Sequence, residues 1–205
     1  MIYSNRKKET SMIFVFDIDD TLCDTDGYSE KYISEFFENH NIGFKQVRKV
    51  VRYAEMKFDW TIEQALAWYK TYGDQMALEF PPKPKAKEVI NTLHSMGHKI
   101  ILATARDTDW HVEPEKITRQ WLALNGIKFD KLYIGRVDKE QVCIAENADV
   151  FVDDDVDICT RVLNDSKTAA YLSRTDYNET LEKPNGLKTV NDLSFLLDLA
   201  CEMEM

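Results

Sequence analysis

Residues 12–22 read MIFVFDIDDTL, an apolar run that leads directly into three carboxylates and a threonine. A run this short, apolar on every face, is typical of a buried strand in a parallel sheet, which helices cover on both sides. Open parallel sheets bind ligands at the carboxyl ends of their strands, and Asp17, Asp19 and Asp20 fall at that position. A turn or a helix N-cap explains one acid there, but three clustered acids are costly unless a cation offsets their charge.

Four further runs of the same kind follow along the chain. They are KIILA at 99–103, KLYI at 131–134, DVFV at 149–152 and TAAYL at 168–172. Helical patterns separate them at 84–96, 114–125, 139–147 and 156–164, and a last one covers 192–202. Strands that alternate with helices at this spacing predict an α/β fold with a doubly wound, Rossmann-like parallel sheet.

One stretch, between the first and second strand patterns, carries only helical signals. They cover 29–40, 44–58 and 61–73, and the last begins with a Thr61-x-x-Gln64 capping box. We therefore predict a helical insertion at 23–81 and an α/β core at 12–22 and 82–205. The polar residues 1–11 are predicted to form a flexible N-terminal tail.

A second acidic cluster, Asp153-Asp154-Asp155 with Asp157 close behind, follows the apolar run at 149–152. Because both clusters follow strands, they can meet at one edge of the sheet. Hard oxygen ligands of this kind suit Mg²⁺, which needs only one or two protein carboxylates. A Ca²⁺ site is the alternative, but the cluster lacks the alternating spacing and the glycine of an EF-hand loop.

Composition narrows the classes of partner. The formal net charge of −10 disfavours nonspecific binding to a nucleic acid polymer or to a membrane surface. No apolar run approaches the roughly 20 residues that span a bilayer, and residues 1–11 do not resemble a signal peptide. The four cysteines are scattered, with no metal-ligand spacing, so we expect reduced thiols and a cytoplasmic location.

Two single residues complete the pattern. Thr104 ends the second strand run, where its hydroxyl can donate to a phosphoryl oxygen. Lys139 opens a predicted helix ahead of Asp153, where its ammonium can neutralise negative charge. A DxDxT after a strand, then a threonine, a lysine and an acid pair at later strand ends resemble the haloacid dehalogenase-like (HAD) phosphohydrolase superfamily. The resemblance covers about residues 12–172, apart from the insertion.

The resemblance implies a role for each matching residue. Asp17 would attack phosphorus and form an aspartyl-phosphate, and Asp19 would protonate the leaving oxygen and then activate water. Thr104 would bind the transferring phosphoryl group, and Lys139 would balance its charge. Mg²⁺ would be held by Asp17, Asp153, Asp154 and the backbone carbonyl of Asp19. The presence of both Asp17 and Asp19 favours a phosphatase over a dehalogenase.

Some assignments stay open at this point. Lys131 also precedes the second cluster and competes with Lys139. Spacing alone does not decide which of Asp153, Asp154, Asp155 and Asp157 bind metal. Asp20 stands where the family often has glycine, a substitution that we expect to be harmless.

The insertion resembles a C1-type cap, which implies a small phosphorylated metabolite as substrate. Arg106, in Thr104-Ala105-Arg106, is a candidate substrate-binding residue, although an ordinary salt bridge is equally consistent with its position. Trp110 and His111 could line the rim of the site. The motif spacing resembles the 5′-nucleotidase (deoxyribonucleotidase) branch. The alternatives are a phosphatase for a sugar phosphate or another metabolite, and a non-catalytic protein that binds a phosphate ligand.

Overall fold

The computed structural model describes residues 11–41, 43 and 45–203, so all of the predicted tail except Ser11 lies outside the described residues. Six parallel strands form one sheet in the order β3-β2-β1-β4-β5-β6. The strands are β1 (Ile13–Phe16), β2 (Lys99–Thr104), β3 (Lys131–Ile134), β4 (Val150–Asp153), β5 (Ala169–Ser173) and β6 (Lys188–Val190). The helices are α1 (Asp26–His40), α2 (Ile62–Glu79), α3 (Ala86–Ser95), α4 (Pro114–Asn125), α5 (Lys139–Glu146), α6 (Val156–Asp165), α7 (Asp176–Glu179) and α8 (Phe195–Met203).

Helices cover both faces of the sheet, which confirms the predicted doubly wound fold. Side chains alternate along β1: Phe14 and Phe16 join one apolar cluster, which also holds Trp121 of α4. Val15 joins the other cluster, which includes Val142 of α5. Because a strand's side chains point alternately to opposite faces, a continuous apolar run was needed to fill both clusters.

The strand order reverses direction at β1, which lies between β2 and β4. The backbone N–H of Asp17 donates to the carbonyl oxygen of Val152 at 3.0 Å. The residues after β1 and those after β4 are therefore held side by side at the carboxyl edge of the sheet. Such a switch point is the place where open α/β sheets bind ligands.

The segment inserted after β1, hereafter the cap, is built mainly on α1 and α2. The predicted capping box is present, since the Thr61 hydroxyl accepts from the Gln64 backbone and the Gln64 side chain accepts from the Thr61 N–H. Between the helices, Tyr32 lies 5.3 Å from Tyr72, centroid to centroid, and Trp68 is fully buried. Most of the cap's aromatic residues thus form its own core.

The predicted helix over 44–58 is wrong. In the described residues of that stretch, only 54–57 are helical, as one turn of 3₁₀ helix, and Gln46 instead forms a β-bridge with Phe58. Val47 and Val50, which gave the helical period, are about half exposed. Their β-branched side chains weaken an unpacked helix, and no buried face offsets that cost.

Two smaller differences concern element ends. Helix α2 continues past Gly73 to Glu79, and the glycine lets the helix approach the carbonyl oxygen of Trp110 closely instead of ending it. The strand β6 at the sheet edge was missed, since three residues are too few to show a pattern. Among the described residues, no helix is both long and apolar enough to cross a bilayer.

Candidate active site

A buried lysine joins the two acidic clusters. Lys139, the first residue of α5, donates from Nζ to Asp17 Oδ1 at 2.5 Å and to Asp153 Oδ2 at 2.7 Å. Asp138 fixes the start of this helix, because its carboxylate accepts from the backbone N–H groups of Glu140 and Gln141. The helix start thus aims the lysine at the carboxyl ends of β1 and β4.

The group formed by Asp17, Asp153 and Lys139 has two acidic side chains and one basic side chain. Burial raises the pKa of Asp17 to about 7, and the neighbouring charge of Asp153 adds to the rise while Lys139 opposes it. Burial would lower the pKa of Lys139, but the charges of Asp153 and Asp17 outweigh it and hold the ammonium protonated. One ammonium is therefore shared between two carboxylates that are both out of water.

A third carboxylate completes a possible metal site. Oxygens of Asp17, Asp153 and Asp154 lie within 4.8 Å of one another, and all three residues are buried. Burial, together with the charges of Asp153 and Asp17, raises the pKa of Asp154 well above its usual value. A hard oxygen donor set with uncompensated charge fits Mg²⁺, which would relieve that repulsion.

Two residues of α7 form hydrogen bonds with Asp154. Tyr177 donates its hydroxyl to Asp154 Oδ2 at 2.6 Å, and Asn178 donates to the Asp154 carbonyl oxygen at 2.9 Å. Hydrogen bonds of this kind from neighbouring side chains fix the geometry of metal ligands. Neither residue carried a signal in the sequence, because both lie more than twenty positions from the acid that they hold.

Arg106 binds the second acid of the first cluster. Its guanidinium donates from Nε to Asp19 Oδ2 at 2.9 Å and from Nη2 to Asp19 Oδ1 at 2.6 Å. Burial would raise the pKa of Asp19, but the charge and hydrogen bonds of Arg106 outweigh it and lower that pKa. The ordinary salt bridge that the sequence left open is therefore formed, while Arg106 also lines the cavity described below.

The loop after β1 has a left-handed residue. Asp20 has a φ of 53°, a conformation that favours glycine, and its carboxylate accepts from the Thr25 N–H at 3.0 Å. Its carbonyl oxygen accepts from Lys83 Nζ and from Ser173 Oγ. The side-chain bond offsets part of the cost of this conformation for a residue with a Cβ, and the expectation that the acid is harmless stays a prediction.

The structure places the other candidate residues from the sequence at different positions. Thr104 is fully buried at the end of β2, and its Oγ1 accepts from the Arg106 N–H at 3.3 Å. Lys131, the competitor of Lys139, pairs instead with Glu146. The acid run divides as well: Asp155 caps α6, and Asp157 is exposed. The use of the Asp19 carbonyl as a metal ligand stays a prediction.

A cavity of about 470 Å³ opens above these groups, between core and cap. The core lines it with Asp17, Asp19, Arg106, Lys139 and Asp154, and with Trp110 and His111, which were predicted at the rim. The cap lines it with Arg52, Tyr53, Met56, Tyr69, Met76 and Phe80. The cavity therefore combines a charged floor with largely apolar walls, an arrangement that suits a ligand with one anionic and one apolar part.

Arg52 is the cap residue that the sequence did not single out. Its Nη1 forms an ion pair with Asp155 Oδ2, and the guanidinium also lies over the ring of Tyr53. The pairing joins residues that are distant in the sequence, and the wrong helix prediction for 44–58 gave no reason to place Arg52 at the site. The sequence around Arg52 carried no local pattern that could have identified this contact.

The sheet switch point therefore carries a buried aspartate held by a lysine, with two further acids beside it and the cap above. Comparison with known proteins identifies the family. The profile of the haloacid dehalogenase-like hydrolase family matches residues 12–168. The chain belongs to this family.

Individual proteins are similar to this chain in sequence or in fold. A Bacillus cereus protein named "Putative nucleotidase" is 26% identical over 178 residues, covering 84% of this chain and 92% of its own. The haloacid dehalogenase-like protein SP0104 of Streptococcus pneumoniae has a TM-score of 0.65 at 12% identity, covering 92% and 98% of the two chains. YfnB of Bacillus subtilis, solved bound to magnesium, has a TM-score of 0.62 at 12% identity, covering 93% and 99%. At such identities the two structures show the fold alone.

Proposed function

We propose that the protein is a Mg²⁺-dependent phosphatase that hydrolyses a small phosphate monoester through an aspartyl-phosphate on Asp17. The observation that carries the proposal is the position of Asp17, buried at the cavity floor between Lys139 and the acids after β4. A carboxylate so placed can act as a nucleophile if its charge is balanced during attack. Lys139 provides part of that balance.

Two steps use this chain's own residues. In the first, an Asp17 oxygen forms a bond to phosphorus while the bond to the leaving oxygen breaks, and Asp19 gives that oxygen a proton. In the second, Asp19 takes a proton from water, the water oxygen bonds to phosphorus, and the bond to Asp17 breaks, which releases inorganic phosphate. Arg106 fixes Asp19 at a defined place beside Asp17 for both proton transfers.

Asp17, Asp153 and Asp154 are the side chains that would hold Mg²⁺. When bound, Mg²⁺ supplies positive charge that offsets the phosphoryl oxygens and the crowded carboxylates. Thr104 would position the phosphoryl group at the strand end, and the cap would exclude water from the cavity. An enclosed cavity of this kind suits a small metabolite as substrate. The cellular location that we propose for the enzyme is the cytoplasm.

The leaving group that we propose is a nucleoside, which makes the substrate a nucleoside 5′-monophosphate. Two features support it: the named nucleotidase among the relatives and the aromatic walls of the cavity. Tyr69 of the cap and Trp110 of the core meet with ring centroids 4.5 Å apart and present aromatic surface to the cavity. A planar base can pack against such surface.

The test is phosphate release from a panel of nucleoside monophosphates and sugar phosphates, with Mg²⁺ and with EDTA. Wild type is compared with Asp17→Asn, which keeps the shape of the side chain, and with Asp157→Asn, which neutralises an exposed acid outside the cavity. We expect Mg²⁺-dependent release that Asp17→Asn abolishes and Asp157→Asn retains. Full activity in Asp17→Asn would exclude Asp17 as the nucleophile.

A second comparison addresses the leaving group. Trp110→Ala should raise KM for a nucleoside monophosphate several-fold and leave KM for ribose 5-phosphate unchanged, because only the nucleotide carries a base. An equal change for both compounds would favour a sugar phosphate or another metabolite as the natural substrate.

A further inference from the structure

The stretch 45–59, hereafter the cap loop, is closed at its base like a hairpin. Lys45 N donates to Asp59 Oδ1 at 2.8 Å, and Asp59 N donates back to the Lys45 carbonyl oxygen at 3.1 Å. One step further in, Val47 N donates to the Lys57 carbonyl oxygen at 2.8 Å. The bonds hold the two ends of the loop together, and the ion pair between Lys57 and Glu30 fixes this base to α1.

Helix α2, in contrast, is fixed to the core. Gly73 approaches the loop after β2 so closely that a Cβ on it would lie 2.5 Å from the carbonyl oxygen of Trp110. Next to it, Asp74 Oδ1 accepts from the Val112 N–H at 3.1 Å. Where α2 ends, the buried indole N–H of Trp121 donates to the Phe80 carbonyl oxygen at 2.7 Å. This side of the cap cannot shift without breaking packed contacts.

The tip of the cap loop reaches the core through Arg52. Its guanidinium pairs with the buried carboxylate of Asp155, the residue directly after the candidate metal ligand Asp154. Arg52, Tyr53 and Met56 all line the cavity, so the loop forms part of the cavity wall in the position in which this ion pair is formed. Asp155 also caps α6 through its other oxygen, which holds the carboxylate in place to receive Arg52.

We propose that Arg52 is a positioning residue whose ion pair with Asp155 holds the cap loop closed across the cavity. The loop, and not the whole cap, then opens to admit substrate, while α2 stays fixed on the core. Tyr53 and Met56 contact the leaving group only when the pair is formed. This inference goes beyond the proposed phosphatase activity, because loop closure can be measured without turnover.

The variants are chosen to remove charge while keeping structure. Asp155→Asn retains an N-cap side chain for α6, and Arg52→Gln shortens the cation to a neutral amide. The matched control is Arg119→Gln, which breaks an exposed ion pair with Glu115 on α4. Loop opening is measured as the rate of tryptic cleavage after Arg48 and Lys49, sites that every variant retains.

We expect cleavage at these sites to be about fivefold to tenfold faster in Asp155→Asn and Arg52→Gln, since a charge-assisted pair holds the loop closed. The double variant should be no faster than either single variant, and Arg119→Gln should match wild type. Equal rates in all variants would overturn the proposal. So would faster cleavage in Arg119→Gln, since loosening would then be general.

Steady-state kinetics distinguish a positioning role of Arg52 from a general loss of structure. In the phosphate-release assay, Arg52→Gln should raise KM for the preferred compound several-fold with little change in kcat, and Arg52→Lys should recover most of that loss. A fall in kcat alone, with KM unchanged, would contradict a role in closing the cavity. If no variant, wild type included, releases phosphate, the proposed function fails, but the cleavage rates still decide the role of Arg52.

Discussion

Arg106 holds the carboxylate of Asp19 with two nitrogens, Nε at 2.9 Å from Oδ2 and Nη2 at 2.6 Å from Oδ1. The guanidinium is buried, whereas the carboxylate is partly exposed to the cavity. The proposed chemistry asks Asp19 to donate a proton and then to accept one. Arg106 favours the charged form of Asp19, so it supports the second task and opposes the first.

Replacement of Arg106 should therefore change the pH dependence of turnover. Arg106→Gln removes the charge that lowers the pKa of Asp19, so burial then dominates and that pKa rises. The base form of Asp19 appears only at higher pH, and the acidic limb of the kcat profile should move upward. Initial rates of phosphate release across pH 4–9 measure the shift.

Arg106→Lys is the control for this prediction, because it retains the positive charge but loses the two-pronged geometry. It should keep the acidic limb close to that of wild type while lowering kcat about a hundredfold, the usual effect of a misplaced catalytic group. An acidic limb that stays in place in Arg106→Gln would show that Asp19 does not control the second step.

Lys139→Met should remove both activity and stability. Removing one partner of a buried ion pair costs about 3–5 kcal/mol, because the remaining charge has no compensation. Lys139 is buried with Asp17 and Asp153, so we expect a loss of that order at pH 8 in EDTA, measured by urea unfolding. Phosphate release should fall about a thousandfold, as expected when a charge-stabilising group is lost.

The double variant Asp17→Asn/Lys139→Met provides the internal check. Since both the ammonium and one carboxylate are then neutral, it should be more stable than Lys139→Met alone. A double variant that is no more stable would mean that the uncompensated charge of Asp17 does not set the cost of losing Lys139.

Stability of the metal-free protein should fall as pH rises through the range in which Asp17 ionises. Its pKa is raised from 3.8 to about 7, so the folded state binds a proton that the unfolded state has already lost between these values. Stability from this group is complete below about pH 4 and is lost by about pH 7. Thermal unfolding in EDTA, compared with Asp17→Asn, measures the contribution.

The stabilisation that Mg²⁺ provides should have the opposite pH dependence. Below pH 7 it competes with the proton on Asp17, so its stabilising effect should be larger at pH 8 than at pH 5.5. The midpoint of thermal unfolding with and without about 10 mM MgCl₂, roughly ten times the dissociation constant of a millimolar site, reports this difference. An equal effect at both pH values, or an effect retained in Asp17→Asn, would place the ion elsewhere.

Much of this architecture could be predicted because local patterns carry it. The apolar runs specify buried parallel strands, and acids directly after them must lie at the carboxyl edge, which is how Asp17 and Asp153 were paired. Lys139 was singled out because it opens a predicted helix ahead of Asp153 and matches the lysine of the family that the sequence resembles. In these cases a few neighbouring residues determine the outcome.

The rest depends on contacts between distant parts of the chain. Tyr177 and Arg52 meet the acids after β4 only once the cap and α7 are folded onto the core. The valines at 47 and 50 have a helical period, yet the loop is held by bonds at its base and does not bury them. Periodicity without a partner surface does not make a helix, and only the folded chain reveals whether that surface exists.

Asp20 offers a test of backbone strain in the loop after β1. Asp20→Gly and Asp20→Ala both lose the bond to Thr25, but only alanine must adopt a φ of 53° with a Cβ. We expect the glycine variant to be more stable by about 1 kcal/mol, the usual cost of the left-handed conformation for an L residue. Urea unfolding of the two variants decides it, and equal stability would show that the loop relaxes.

Gly73→Ala tests whether α2 is fixed against the core. Its new Cβ would lie 2.5 Å from the Trp110 carbonyl oxygen, a backbone atom that cannot move aside cheaply. We expect destabilisation of about 1–3 kcal/mol, as for other overpacked sites, even though alanine favours a helix. Gly27→Ala in α1 is the control, because its nearest neighbour is 3.5 Å away and belongs to the side chain of Asp24. That change should stabilise by about 0.5–1 kcal/mol, so opposite signs in urea unfolding support the fixed contact and a shared sign contradicts it.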